Sequence, residues 1–66
     1  MDDILIRIEK RAALHLKAAE ALEREAGQQT AESRSLRWVA ELNLASAAVI
    51  RSERRRLGQP IYQNEN

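Results

Sequence analysis

Two long segments without glycine or proline, separated by one short break, constrain this chain more than any other feature of its sequence. The first segment runs from Asp3 to Ala26 and the second from Thr30 to Leu57. Glycine and proline are the residues that disfavour helices most, whereas alanine, leucine, glutamate and arginine, which favour them, are abundant in both segments. The sequence therefore predicts an all-α chain with two long helices.

Capping residues mark the ends of both segments. Asp3, or the aspartate before it, can accept hydrogen bonds from the first turn of a helix, where a carboxylate also favours the positive end of the dipole. Gly27 stands where helices commonly end in a left-handed residue, and Gly58 repeats that signal after the second segment. Thr30 is a candidate N-cap for the second helix. We therefore predict one hairpin over residues 1–58, followed by a short tail.

The hairpin is predicted to contain a helix over 3–26, a turn over 27–30 and a helix over 31–57. So short a turn makes the two helices antiparallel neighbours. The tail, 59–66, is polar except for Ile61 and Tyr62. Two interpretations of the tail stay open: a frayed end, or a segment in which these two residues fold back onto the bundle end or a neighbouring subunit.

The small size of the chain indicates that it associates with other chains. Its 66 residues make at most one domain, and such a domain buries only about 60% of the surface that its unfolded chain exposes. Domains of this size usually depend on disulfides, a metal or oligomerisation. The sequence has no cysteine and one histidine, which excludes a disulfide and a multi-histidine metal site within one chain. Association is the remaining means of stabilisation.

Apolar residues form one stripe on the first predicted helix and two adjacent stripes on the second. The first has the three-four spacing of a coiled-coil seam: Leu5, Ile8, Ala12, His15, Ala19, Leu22 and Ala26. The second helix carries Leu36, Val39, Asn43, Ser46, Ile50, Glu53 and Leu57, and beside them Trp38, Leu42, Ala45 and Val49. These two stripes together cover about half of the helix circumference, more than the ~100° needed to pack on one partner helix.

One face of the second helix can pack on the first helix, and a second copy of the chain is the simplest cover for the rest. We therefore predict a dimer that forms a four-helix bundle, or a higher helical oligomer. The residues predicted to form its interface are Leu36, Trp38, Val39, Leu42, Asn43, Ser46, Val49 and Ile50. For Trp38 the alternative is contact with a different protein, since tryptophan is common among interface hot spots.

Polar residues interrupt the apolar stripes of both predicted helices. A polar residue at a seam position can fix register or oligomeric state, and this is our interpretation of His15; ligand contact, metal binding and catalysis are its alternatives. Asn43 and Ser46 have the same structural interpretation in the second helix. If they are buried, each needs a hydrogen-bond partner, which another chain or a bound small molecule could supply.

The sequence contains none of the patterns that identify common catalytic and cofactor sites. It has no HExxH or ExxH spacing, no Gly-x-Ser-x-Gly elbow and no glycine-rich phosphate loop. No stretch approaches the ~20 apolar residues of a membrane span, and MDDILIRIEK lacks the basic region and apolar run of a secretory signal. We expect a cytoplasmic protein that is not an enzyme, binds no cofactor or metal and does not enter a membrane.

Basic residues gather at the end of the hairpin opposite the turn. The candidates for anion binding there are Arg7, Arg11, Arg51, Arg54, Arg55 and Arg56. Guanidinium groups suit phosphate because they donate bidentate hydrogen bonds. Acidic residues share this end of the hairpin, and a net charge of +1 does not indicate a whole-surface nucleic-acid binder. The alternative is a solvated helix end whose arginines pair locally and match the helix dipole.

The chain resembles two kinds of small helical protein, one in architecture and one in residues of the second helix. The length, the mid-chain turn and the polar tail resemble plasmid-encoded RNA-binding hairpins that dimerise into a four-helix bundle. Residues of the second helix are similar to those of small helical sponge proteins by which phages sequester cyclic oligonucleotide signals: Ser35, Leu36, Leu42 and Ala45. Neither resemblance extends to a shared binding motif, so neither assigns a site.

The predicted function is that of a self-associating helical-hairpin binding module. We expect a small regulator, adaptor or inhibitor that acts through protein–protein contacts with itself and with another protein. The alternative is an anion-binding module that uses the arginine-rich end for RNA, DNA or a nucleotide, whether cyclic or not, as a sponge does.

Overall fold

A computed structural model describes residues 3–62 as two helices that pack against each other along their length. Helix α1 spans Ile4–Ala26 and helix α2 spans Ala31–Arg56. The molecule measures 46 × 24 × 11 Å, and its smallest dimension is about the diameter of one helix. The predicted all-α hairpin is confirmed, and it is a single layer of two helices.

Helix α1 begins and ends as its capping residues predict. Asp3 is the N-cap, and its Oδ1 accepts a hydrogen bond from the backbone N–H of Leu5 at 2.9 Å. Because the cap lies outside the helix, α1 begins at Ile4, one residue later than predicted. Gly27 has φ 70°, the left-handed conformation in which a side chain would be strained.

Helix α2 has a reciprocal cap at its start and a tight turn at its end. The Thr30 Oγ1 accepts from the backbone N–H of Ser33 at 3.0 Å, and the Ser33 Oγ accepts from the N–H of Thr30 at 2.9 Å. At the other end, Gly58 at φ 72° lets the N–H of Gln59 donate to the Arg54 carbonyl at 2.8 Å. The helix therefore stops at Arg56, one residue earlier than predicted.

Small side chains at seven-residue intervals form the contact between the helices. The buried residues are Leu5, Ala12 and Ala19 on α1, and Ser33, Ala40, Ala47 and Arg54 on α2. Alanine at the contact lets the two backbones approach closely. The centre of the α2 contact therefore differs from the predicted seam. Of the seam residues, Leu36, Val39, Asn43 and Ile50 are half-buried and flank the small residues, whereas Ser46, Glu53 and Leu57 are exposed.

Two ion pairs between the helices fix their register. Arg51 pairs with Glu9 and Arg37 pairs with Glu23. From the first pair to the second, the chain advances by 14 residues on α1 and goes back by 14 residues on α2, as an antiparallel register requires. The helices therefore run past each other without a shift, which places His15 and Asn43 at nearly the same level.

Candidate functional site

The two ion pairs lie on one side of the helical layer, which we call the ion-pair side. Arg37 Nη2 lies 2.5 Å from Glu23 Oε1 and Arg37 Nε lies 2.9 Å from Oε2. These hydrogen bonds are the main reason that the pKa of Glu23 is lowered to about 2; nearby Ser33 contributes in the same direction and desolvation opposes it. The pKa of Arg37 is raised by the same contact. Glu23 is therefore held charged on this side.

The opposite side of the layer carries larger apolar residues. At about 100° per residue, we assign to it six half-buried residues that we call the apolar side: Ile8, His15, Leu22, Leu36, Asn43 and Ile50. A shallow pocket of about 220 Å³ joins Ile4, Arg7, Ile8 and Arg11 of α1 with Asn43 of α2. Because Ile8 of α1 and Asn43 of α2 line the same pocket, they lie on the same side of the layer.

Two polar groups within the apolar side have no partner. The Nδ1 atom of His15 and the Nδ2 atom of Asn43 are buried and make no hydrogen bond. A buried polar group without a partner costs about 1 to 3 kcal/mol. Both residues were predicted as polar interruptions of the apolar stripes, and both lie near the middle of their helices.

The outer edge of α2, which we define as Trp38, Leu42, Ala45 and Val49, faces away from α1. These residues lie about 140° to 200° around the helix from Ala40, and the side chains of Trp38 and Val49 are 62% and 63% exposed. The predicted interface residues therefore divide into two groups. Leu36, Val39, Asn43 and Ile50 are half-buried beside the helix contact, whereas Trp38, Leu42, Ser46 and Val49 are exposed.

Arg54 is one of the predicted anion-binding residues, but the structure buries it in an ion pair. Its Nη1 donates to Asp3 Oδ2 at 2.8 Å and its Nη2 to Asp3 Oδ1 at 2.9 Å. Nη1 also donates to the Ile61 carbonyl at 2.6 Å. The hydrogen-bonded carboxylate raises the pKa of Arg54. The Arg54 guanidinium therefore connects the end of α2 to the N-cap of α1 and to the tail.

Tyr62 brings the tail onto the ion pair between Arg51 and Glu9. Its hydroxyl donates to Glu9 Oε1 at 3.0 Å and accepts from Arg51 Nη2 at 3.0 Å. The Arg51 guanidinium also lies 6.0 Å from the centre of the tyrosine ring. Of the two interpretations of the tail, the structure has the folded-back one for Ile61 and Tyr62; residues 63–66, like Asp2, lie outside the described part of the chain.

The remaining candidate arginines differ in their surroundings. Arg56 forms an exposed pair with Glu53 at 2.7 Å. Between residues 3 and 62 no ion pair involves Arg7, Arg11 or Arg55, and the first two of these line the shallow pocket. The six arginines therefore do not form one cluster of free guanidinium groups.

Comparisons with protein-family models, with curated proteins and with solved structures found no match to this chain. Neither of the two helices has a stretch long and apolar enough to cross a membrane. No group of three or more histidine, cysteine, aspartate or glutamate side chains is placed to hold a metal ion within residues 3–62.

Proposed function

We propose that this protein is a non-enzymatic, self-associating helical-hairpin module that acts through protein–protein contacts as a small regulator, adaptor or inhibitor. One observation carries the proposal: the helix contact buries alanines and Leu5, while most of the bulky apolar side chains stay accessible. The exposed ones include Ile4, Leu14, Trp38, Leu42, Leu44, Val49 and Leu57. A fold that places its small residues inside leaves its larger apolar residues for contact with other chains.

The accessible area supports association. The chain exposes 5086 Å², whereas a compact protein of 7.5 kDa exposes about 4,200 Å². The excess of roughly 900 Å² is close to what each partner buries in a protein–protein interface of standard size. It arises because a single layer of helices has no second layer against which to bury either face.

The placement of the titratable residues supports a module without catalytic activity. Glu23 and Asp3 are paired with arginines, and no acidic or histidine side chain lines the shallow pocket. Acid–base catalysis needs a titratable group held within reach of a bound substrate in a site from which water is excluded. His15 Nδ1 is buried and makes no hydrogen bond, unlike the base of a nucleophilic pair, which is bonded to a nucleophile or to an orienting group.

Sedimentation velocity at micromolar concentration tests self-association. We expect the wild-type protein to be a dimer or a higher oligomer, and Ile50→Glu to dissociate it because the substitution buries an unpaired charge in the interface. Ser52→Glu, at an exposed position on the other side of α2, is the matched control and should leave the mass unchanged. A wild-type protein that is folded and monomeric at all concentrations would contradict the proposal.

Affinity capture from the native host tests the protein partner. We expect a protein to co-purify whether or not the extract is treated with nuclease, and its recovery to fall with Leu42→Lys, which places a charge on the outer edge of α2. Glu41→Lys makes a charge change at the neighbouring exposed position and should leave recovery unchanged. Recovery of nucleic acid or a nucleotide instead of a protein would overturn this part of the proposal.

Anion binding is a second candidate function, favoured by the two unpaired arginines of the shallow pocket. Arg7 and Arg11 stand one helical turn apart on α1 and could reach one phosphate group together. If this site binds RNA, DNA or a cyclic nucleotide, affinity should fall steeply with added salt. The double substitution Arg7→Ala and Arg11→Ala should abolish binding, whereas Lys17→Ala should not; equal binding by both variants would exclude the site.

A further inference from the structure

The two unpartnered polar groups of the apolar side are complementary to each other. Asn43 Nδ2 is a donor, and His15 Nδ1 is an acceptor when the imidazole carries its proton on Nε2. Both atoms are buried, yet the structure has no hydrogen bond between them or to any other group. Polar groups in protein interiors are nearly always hydrogen-bonded, so the two atoms point to a partner that residues 3–62 of the single chain do not supply.

The positions of these residues identify what that partner is. His15 is the central residue of Ile4–Ala26, and Asn43 lies at the centre of Ala31–Arg56. When two identical layers stack face to face, the two-fold axis lies in the plane between them and runs along or across the helices. With either axis, two layers that overlap along their whole length bring residues at mid-length opposite residues at mid-length. A second copy of the chain therefore brings His15 and Asn43 opposite the same two residues of its partner.

We propose that a second copy covers the apolar side, and that His15 and Asn43 of one chain hydrogen-bond with Asn43 and His15 of the other. This inference rests on the proposed self-association and names its interface. Ile8 and Leu22 of α1 and Leu36 and Ile50 of α2 surround the polar pair on the apolar side of each chain, as bulky residues surround a buried polar position in a helical bundle.

The surface on the other side of the layer favours this choice of face. The ion-pair side carries the Glu23–Arg37 and Glu9–Arg51 pairs, and charged pairs are costly to bury in an interface. The apolar side has two polar groups that become satisfied when it is covered. Their role is then to fix the register and the number of chains, because slipped or larger assemblies leave them buried without partners.

Leucine substitutions test the pairing across the interface. His15→Leu and Asn43→Leu should each weaken dimerisation by about tenfold or more, because each leaves the other polar group buried without a partner. The double variant should regain at least the wild-type affinity, since both polar groups are gone, and should populate additional oligomers. Sedimentation equilibrium measures all four proteins.

The outcomes separate this inference from the proposed function. A monomeric wild-type protein overturns both. A dimeric wild-type protein overturns the pairing alone if the single substitutions leave the affinity unchanged, or if the double variant shows only the sum of the two single effects, because groups that do not interact give additive changes.

Cysteine substitutions provide a second test that does not depend on affinity. The chain has no cysteine, so each introduced thiol reports one position. Under mild oxidation, an equimolar mixture of the Asn43→Cys and His15→Cys proteins should form a disulfide-linked heterodimer, because these two positions face each other across the interface. Ala48→Cys, exposed towards the ion-pair side, should stay reduced. A mixture that is dimeric but forms no heterodimeric disulfide overturns the proposed interface.

Discussion

Arg54 is the residue on which the open end of the hairpin depends. Its guanidinium binds both carboxylate oxygens of Asp3 and the carbonyl of Ile61. The same carboxylate caps α1 through the N–H of Leu5. One side chain thus holds the start of α1, the end of α2 and the tail together. Removing it leaves the Asp3 carboxylate buried and without its guanidinium partner, which is a strongly destabilising change.

Arg54→Ala should therefore lower the melting temperature by more than about 5 °C, as measured by circular dichroism. Arg56→Ala is the matched control two residues away. Arg56 pairs with Glu53 at the surface, and exposed ion pairs contribute little to stability. If the two variants melted at the same temperature, the buried pair would not have the structural role that we assign to it.

Glu23 makes the stability of the hairpin depend on pH in acid. Its pKa is about 2 in the folded chain, below its ordinary value of 4.5. The charged form thus stabilises the fold above the ordinary pKa, and this contribution is lost as the pH falls from about 4.5 towards 2. Glu23→Gln should lose less free energy of unfolding across this range than the wild-type protein.

Urea unfolding at about pH 5 and about pH 2.5 measures this difference. Glu25→Gln is the control, since Glu25 is exposed and takes part in no described ion pair. Because other carboxylates are protonated in the same range, the comparison is between each variant and the wild-type protein. Identical pH dependence in the wild-type and Glu23→Gln proteins would contradict the assignment.

At the scale of the helices, the close approach of α1 and α2 depends on alanines. Ala40 and Ala47 on α2 have no accessible surface, and neither does Ala19 on α1. Closely packed interiors do not accept extra methylene groups without shifts of side chain and backbone. The contact between the helices therefore requires small side chains at these seven-residue intervals.

Ala40→Leu should destabilise the hairpin by about 1 to 3 kcal/mol, because the larger side chain forces the helices apart. Ala48→Leu makes the same chemical change at an exposed position of the same helix, where the effect should stay within about 0.5 kcal/mol. Chemical unfolding of the two variants provides the measurement. Equal stability of the two would show that the helices are not in close contact at Ala40.

The sequence predicts the helices and their caps well because each depends on local residues. Asp3, Gly27 and Thr30 act through their own neighbourhood, and the structure confirms all three. The centre of the α2 contact could not be found by looking for apolar stripes, since Ser33 and Arg54 belong to it. The available signal was the seven-residue series of small residues that continues across the turn from Ala12 and Ala19 to Ser33, Ala40 and Ala47.

The surface groups were less predictable because they depend on contacts between distant parts of the chain. Arg54 resembles its neighbours Arg55 and Arg56 in sequence, yet only Arg54 points at Asp3 in the folded hairpin. Ile61 and Tyr62 allowed two interpretations, and their hydrogen bonds to Arg54 and Arg51 decide between them. Such pairings follow from helix register, which no local pattern encodes.

At the scale of the whole molecule, the hairpin is a layer with two different sides and an apolar edge. Its ion-pair side is suited to water, and its apolar side contains polar groups that lack partners. Self-association would supply the second layer that a helical fold of this size needs. The outer edge of α2, including Trp38, would stay accessible to another protein in such a dimer, because it faces sideways and not towards the second layer.

The most direct test of this account is the dependence of the melting temperature on protein concentration. If folding is coupled to association, dilution favours the unfolded monomer. The melting temperature of the wild-type protein should therefore rise steadily between about 1 and about 100 µM. A cooperative transition at the same temperature throughout this range would show that the hairpin folds alone, and would contradict the claim that the apolar side is covered by a second copy.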